Sequence, residues 1–128
     1  MKTEDKRTIK FLIVDDHAGV RQMIQDLVVV GDDEVRQCDN GDDAVRLAAE
    51  FAPDCVTLDV RMPGLNAFEA ARAIRVAHPT TRVVVVTSCD VKDFREAAFA
   101  AGVSAYVVKD DLAELPRVVS RMFGRTYS

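Results

Sequence analysis

Six side chains of this sequence could act together on a phosphoryl group: the adjacent carboxylates of Asp15 and Asp16, the lone carboxylate of Asp59, the hydroxyls of Thr87 and Ser88, and the ammonium of Lys109. Two carboxylates about 5 Å apart repel by roughly 3 kcal/mol at an effective dielectric of 20, so three of them gathered at one place call for a cation. Oxygen-only ligands completed by a phosphate suit Mg²⁺ better than zinc or copper. A lysine and a hydroxyl on the far side would complement an anionic group, and a carboxylate between them could itself be the nucleophile. The reaction class that fits is phosphoryl transfer onto Asp59.

For that chemistry the fold must bring distant residues to one rim. The stretch Cys55-Val-Thr-Leu-Asp59-Val-Arg-Met-Pro63-Gly64 reads as a buried strand, Cys55 to Leu58, that ends in a carboxylate. A loop follows in which Pro63 fixes φ and Gly64 loosens it. Ile9 to Val14 is an apolar strand stopped by Asp15-Asp16-His17, and Val20, Met23, Ile24, Leu27 and Val28 recur at helical spacing, predicting a first helix to about Val30. Val35 to Cys38 is a short strand with a weak pattern, expected at an edge. Asn40-Gly41-Asp42 opens a second helix that runs until Pro53, and a third takes roughly Leu65 to Ala77. Val83 to Val86 is a continuous apolar run, as expected of a strand covered on both faces, and it leads to Thr87 and Ser88. A fourth helix is predicted from about Val91 to Ala101, with Val91, Phe94, Ala98 and Ala101 as its core stripe and Gly102 as its stop. Ala105 to Val108 is the fifth strand, ending at Lys109, and a last helix ends near Phe123. If that helix begins at Leu112, Pro116 is too far along for the first helical position, so its opening is later than the pattern suggests or irregular.

These alternating strands and helices predict an α/β doubly wound, five-stranded parallel sheet with right-handed crossovers and helices on both faces. With the weak second strand at the edge, the order 2-1-3-4-5 sets strands one, three, four and five side by side. Asp15, Asp16, Asp59, Thr87, Ser88 and Lys109 then share the carboxyl-terminal rim, where ligands bind in open α/β sheets.

At 128 residues and 48% apolar content the sequence makes one domain, expected over residues 9–123 between a charged N-terminal tail, residues 1–8, and a C-terminal tail, residues 124–128. A net charge of −4 with both signs interleaved argues against nucleic-acid binding by this chain. The longest apolar run is too short to cross a bilayer and the charged start lacks a signal-peptide core, so a cytoplasmic protein is expected. Cys38, Cys55 and Cys89 lack metal-type pair spacing and read as reduced packing residues. His17 and His78 read as surface histidines. Phe99 points away from the core stripe of its helix, so it is either covered by a wide buried face or exposed for a partner.

Taken together, Asp15-Asp16, Asp59 with Met62-Pro63-Gly64, Thr87-Ser88, and Tyr106 three residues before Lys109 resemble the receiver domain of bacterial two-component response regulators, from about Ile9 to Phe123. The resemblance implies a flavodoxin-like fold and a stand-alone, chemotaxis-regulator-like signalling protein rather than an enzyme. It implies that Asp59 accepts a phosphoryl group from a phosphohistidine on a sensor histidine kinase or a histidine phosphotransfer protein. It further implies Mg²⁺ held by Asp16, Asp59 and the Arg61 carbonyl, with Asp15 acting mainly through water. Lys109 would pair with Asp59 and then with the phosphoryl oxygens, Thr87 would turn towards the phosphoryl group, and Tyr106 would follow inward. The surface altered would be the fourth helix, fifth strand and fifth helix, which would meet an output protein.

Two positions depart from the family pattern. Ala67 stands where receivers usually have glycine, and a positive φ there would be strained; Asp110 stands where a proline usually follows the lysine, which puts the family's cis peptide in doubt. Three other readings compete: a receiver fold that takes no phosphate and works by constitutive contact, an aspartate-nucleophile phosphohydrolase, and the receiver part of a DNA-binding transcriptional regulator. The phosphohydrolase lacks its Asp-x-Asp pattern and the length for a cap domain.

Overall fold

The computed structural model describes residues 8–62 and 64–127. Pro63, expected to fix the loop after Asp59, lies outside them, as do residues 1–7 of the N-terminal tail and Ser128. Five strands, β1 (Lys10–Val14), β2 (Glu34–Cys38), β3 (Cys55–Leu58), β4 (Arg82–Thr87) and β5 (Ala105–Val108), form one parallel sheet of order β2-β1-β3-β4-β5. The helices between and after them are α1 (Ala18–Val28), α2 (Gly41–Phe51), α3 (Ala67–Ala77), α4 (Lys92–Ala100) and α5 (Glu114–Phe123).

Alternation along the strands sorts the core into two layers. Leu12, Val14, Val56, Leu58, Val83 and Val85 face one way and pack with Ala44, Ala48, Ala71 and Ile74 of α2 and α3. Phe11, Ile13, Cys55, Val84 and Val86 face the other and pack with Ile24 and Val28 of α1 and Leu115 and Val119 of α5. Successive strand residues point to opposite faces, so a strand that is apolar throughout must be covered twice. β2 alone is half polar, with burial alternating between exposed and intermediate, which suits its place at the edge.

Helix ends follow local chemistry. Asn40 caps α2 by accepting from the Asp43 N–H at 2.8 Å, and Asn66 caps α3 by accepting from Phe68 at 2.8 Å, so α3 opens at Ala67 rather than near Leu65. α1 stops at Val28 rather than Val30 because Val29 is extended and the Val30 N–H donates to the Asp33 carboxylate instead. A short 3₁₀ turn, Lys109–Asp111, precedes α5, which therefore opens late, at Glu114. Pro116 is its third residue, where the backbone N–H has no helical partner to lose.

One departure from the family pattern carries no strain, and one expectation fails. Ala67 needs no positive φ: Ala52 is the one described non-glycine residue with φ in the left-handed region, and Ala67 starts α3 as a buried helical residue. The α4 stripe is buried only at its far end, in Ala98 and Ala101, whereas Val91 and Phe94 are exposed because α4 leans on β5 and the core through its C-terminal half alone. Phe99 is exposed as well, at 49%. No peptide bond among the described residues is cis.

The segment after α5 is tied to the domain through Tyr127. Arg125 forms a bidentate ion pair with Asp33 at 2.6 and 2.7 Å, and the Tyr127 hydroxyl donates to the Val28 carbonyl at 2.6 Å. Asp33 also accepts from the Ile9 and Val30 N–H groups, both at 2.9 Å, so one carboxylate joins the start of β1, the end of α1 and the chain beyond α5.

Candidate functional site

β1, β3, β4 and β5 each deliver a residue at or directly past their carboxyl ends to the same rim. At the end of β1, Asp15 is fully buried, its Oδ1 accepts from the His17 N–H at 2.9 Å, and its carbonyl accepts from the Arg21 guanidinium at 2.7 Å. Asp59, directly past β3, is 4% exposed; its N–H donates to the Val14 carbonyl at 3.1 Å, which continues the sheet pairing by one residue. Its Oδ1 accepts from the Arg61 N–H at 3.2 Å. Lys109, directly past β5, reaches across the rim: Nζ is 3.1 Å from Asp59 Oδ2 and 2.8 Å from Asp15 Oδ2. The approach to Asp15 is a close ion pair with a fully buried carboxylate.

Burial by itself would lower the pKa of the Lys109 ammonium, but the facing carboxylates of Asp15 and Asp59 outweigh it and raise the pKa above its ordinary value. The lysine is therefore charged at neutral pH, as two buried carboxylates require. Thr87, at the end of β4, is fully buried and its hydroxyl oxygen accepts from the Cys89 N–H at 3.3 Å, while Ser88 is exposed. Tyr106 on β5 is 8% exposed and turned inward, donating its hydroxyl to the Cys89 carbonyl at 2.5 Å. Burial pushes its phenol pKa up.

Asp16 is exposed beside Asp15 and meets His17: Nδ1 of the ring is 3.1 Å from Asp16 Oδ1, and Asp15, Asp16 and His17 can each turn a ligand atom to within 4.8 Å of the others. His17 is a surface histidine whose potential ligand partners are its two sequence neighbours. The loop after Asp59 is pinned from α2. Asp42 Oδ2 accepts from the Leu65 N–H at 3.2 Å, and Gly64 adopts φ +87 beside that carboxylate. Gly41 lies so close to Leu65 that a Cβ there would sit 2.3 Å from its carbonyl oxygen. Nothing in the spacing of Gly41, Asp42 and Leu65 announces this contact, which arises where α2 and α3 pack side by side.

Sequence reasoning placed Asp15, Asp16, Asp59, Thr87, Ser88 and Lys109 at one rim, with Tyr106 on the strand below, and the structure brings Asp15, Asp59 and Lys109 into direct contact there. Thr87 and Tyr106 meet through Cys89, while Asp16, Arg61 and Ser88 stand at the exposed margin. It missed Arg95, whose guanidinium lies 4.6 Å from the Tyr106 ring centroid.

Comparison with known proteins agrees with this geometry. Residues 11–120 match the family described as response regulator receiver domain. The chain is 38% identical over 125 residues to response regulator GacA of Pseudomonas aeruginosa, covering 93% of this chain and 58% of that protein. It is 33% identical over 101 residues to chemotaxis protein CheY of Thermotoga maritima, covering 78% of this chain and 84% of CheY. Among solved structures, a two-component response regulator of the LuxR family from Aurantimonas sp. SI85-9A1 superposes with a TM-score of 0.81 at 34% identity, covering 92% of this chain and 87% of that one. The chain spans 58% of the length of the GacA proteins it matches. The buried Asp59 at the end of β3, the lysine that reaches it from β5 and the match over residues 11–120 together establish that this chain belongs to the response regulator receiver domain family.

Proposed function

We propose that Asp59 is the phosphoacceptor of a phosphoryl-dependent signalling switch. The observation that carries this reading is the Lys109 ammonium held 3.1 Å from Asp59 and 2.8 Å from Asp15 at a buried strand end. A carboxylate oxygen of Asp59 attacks phosphorus of a phosphohistidine on a sensor histidine kinase or histidine phosphotransfer protein. The new O–P bond forms as the P–N bond breaks, and the imidazole nitrogen keeps the electron pair and takes a proton. Lys109, already charged, is placed to follow the negative charge from the Asp59 carboxylate to the phosphoryl oxygens.

The donor set fits Mg²⁺: oxygen ligands from Asp16 and Asp59, the Arg61 carbonyl, and Asp15, beside Asp16, acting through water. Bound there, the ion would offset the charge that three carboxylates and a phosphoryl group bring together. Thr87 would turn its hydroxyl to the phosphoryl group, with Ser88 at the margin, and Tyr106 would stay inward. The consequence would be read on α4, β5 and α5 by an output partner, in the cytoplasm.

The test is intact mass after incubation with Mg²⁺ and acetyl phosphate. A gain of one phosphoryl group that requires Mg²⁺ and is absent in Asp59→Asn supports the reading. No gain in the folded wild type sinks it and favours a receiver fold that works by constitutive contact.

A second reading concerns the whole protein. The GacA relatives are longer than this chain, and a similar structure at 32% identity is a DNA-binding response regulator of the LuxR family from Staphylococcus aureus. In that reading this domain is the phosphoacceptor part of a DNA-binding regulator. The mass of the protein isolated from its source decides: a value well above that of 128 residues supports it, and a value equal to them supports the stand-alone form.

A further inference from the structure

Tyr106 is held from two sides, and only one of them belongs to the rim. Its hydroxyl donates to the Cys89 carbonyl, whose own N–H donates to Thr87, so ring and hydroxyl are joined through a single residue. On the outer side the Arg95 guanidinium of α4 lies 4.6 Å from the ring centroid. Arg95 is itself oriented, because its Nε donates to Asp90 Oδ1 at 2.7 Å. Asp90 follows Cys89 directly, so the contacts close a loop from Thr87 through Cys89 and Asp90 to Arg95 and back to Tyr106.

We infer that Arg95 is a positioning residue that holds the Tyr106 ring inward and thereby sets how readily the Thr87 to Asp90 loop accepts a phosphoryl group at Asp59; this rests on the proposed phosphoacceptor role. A cation over an aromatic face is attracted by the ring quadrupole, and the planar guanidinium stacks there better than an ammonium. The Asp90 tether supplies the orientation that a free, long side chain would have to give up entropy to reach. The Thr87 hydroxyl accepts from the Cys89 N–H, and the Cys89 carbonyl accepts from the Tyr106 hydroxyl. A restraint on the ring is therefore a restraint on the loop. If the inward ring marks the binding-competent state, lowering its population weakens phosphoryl-group binding in proportion.

The chain has two tyrosines, so Tyr127→Phe leaves Tyr106 as a single probe. In that background, labelled with 3-fluorotyrosine, ¹⁹F NMR compares Arg95 with Arg95→Ala and Arg95→Lys, all confirmed folded by thermal melting. Arg95→Ala is expected to move the resonance and increase its H₂O/D₂O isotope shift, as for a ring turned to solvent. The concentration of beryllofluoride, a phosphoryl analogue, that half-saturates the protein with Mg²⁺ should rise by about two- to five-fold. Arg95→Lys should return both readouts towards wild type. An unchanged resonance or an unchanged half-saturation in Arg95→Ala overturns the inference, as does an Arg95→Lys protein further from wild type than Arg95→Ala. Absence of saturable beryllofluoride binding in the Arg95 protein overturns the phosphoacceptor reading instead, and the isotope shift still reports on the clamp.

Discussion

Lys109 and Asp59, 50 positions apart in sequence, meet at 3.1 Å because each is the first residue past its strand and β4 alone separates those strands. The same ammonium also neutralises Asp15, so one lysine holds two buried carboxylates. Lys109→Met should slow phosphoryl uptake from acetyl phosphate by about 10²-fold, the usual cost of losing one charge-stabilising donor. A time course of intact mass measures it, and a rate within about threefold of wild type would remove Lys109 from the reaction.

Gly41 is the point where α2 touches the loop after Asp59. A Cβ there would lie 2.3 Å from the Leu65 carbonyl oxygen, and a backbone atom cannot swing aside as a side chain can. Gly41→Ala is expected to destabilise the fold by about 1–3 kcal/mol in urea unfolding and to alter the rate of phosphorylation at Asp59. A stability equal to wild type with an unchanged rate would show that the loop is not held by this contact.

Asp33 supplies a pH-dependent part of stability. Burial would raise its carboxyl pKa, but Arg125 and the Val30 and Ile9 N–H groups outweigh burial and hold it below the ordinary value of 3.8. Its folded pKa is depressed, so its contribution is fully present above 3.8 and is lost as pH falls through the lower folded value. Arg125→Ala leaves a buried carboxylate without its cation and should cost about 3 kcal/mol at pH 7. Chemical denaturation of wild type and Arg125→Ala from pH 7 to pH 2 should show the difference between them shrinking at the acid end; a constant difference would refute the linkage.

Phe99 is exposed at 49%, unlike the fully buried Phe11. Replacement of Phe11 with alanine should cost about 3–5 kcal/mol, whereas Phe99→Ala should cost below about 1 kcal/mol and reduce binding of whatever partner docks on α4. A loss of several kcal/mol from Phe99→Ala with partner binding unchanged would return Phe99 to the core.

The parallel sheet and its rim were legible because apolar runs such as Cys55 to Leu58 and Val83 to Val86 end in residues able to do chemistry, and period-2 burial leaves such strands one architecture. The edge position of β2 followed from its half-polar pattern. Capping chemistry at Asn40 and Asn66 was local, and hence readable within a turn. The exposure of Val91 and Phe94 was not readable, since helical spacing reports which residues share a face but not how far along that face the core extends.

By itself, then, the sequence determined the elements, their order and the residues that end each strand, because these depend on periodicity, β-branching and turn chemistry within a few positions. Only the tertiary structure decided which of those residues touch: Lys109 between Asp15 and Asp59, Arg95 over Tyr106, Gly41 against Leu65 and Arg125 on Asp33. Each of these contacts joins separate elements, and its distance is set by how helices and strands pack rather than by any spacing along the chain.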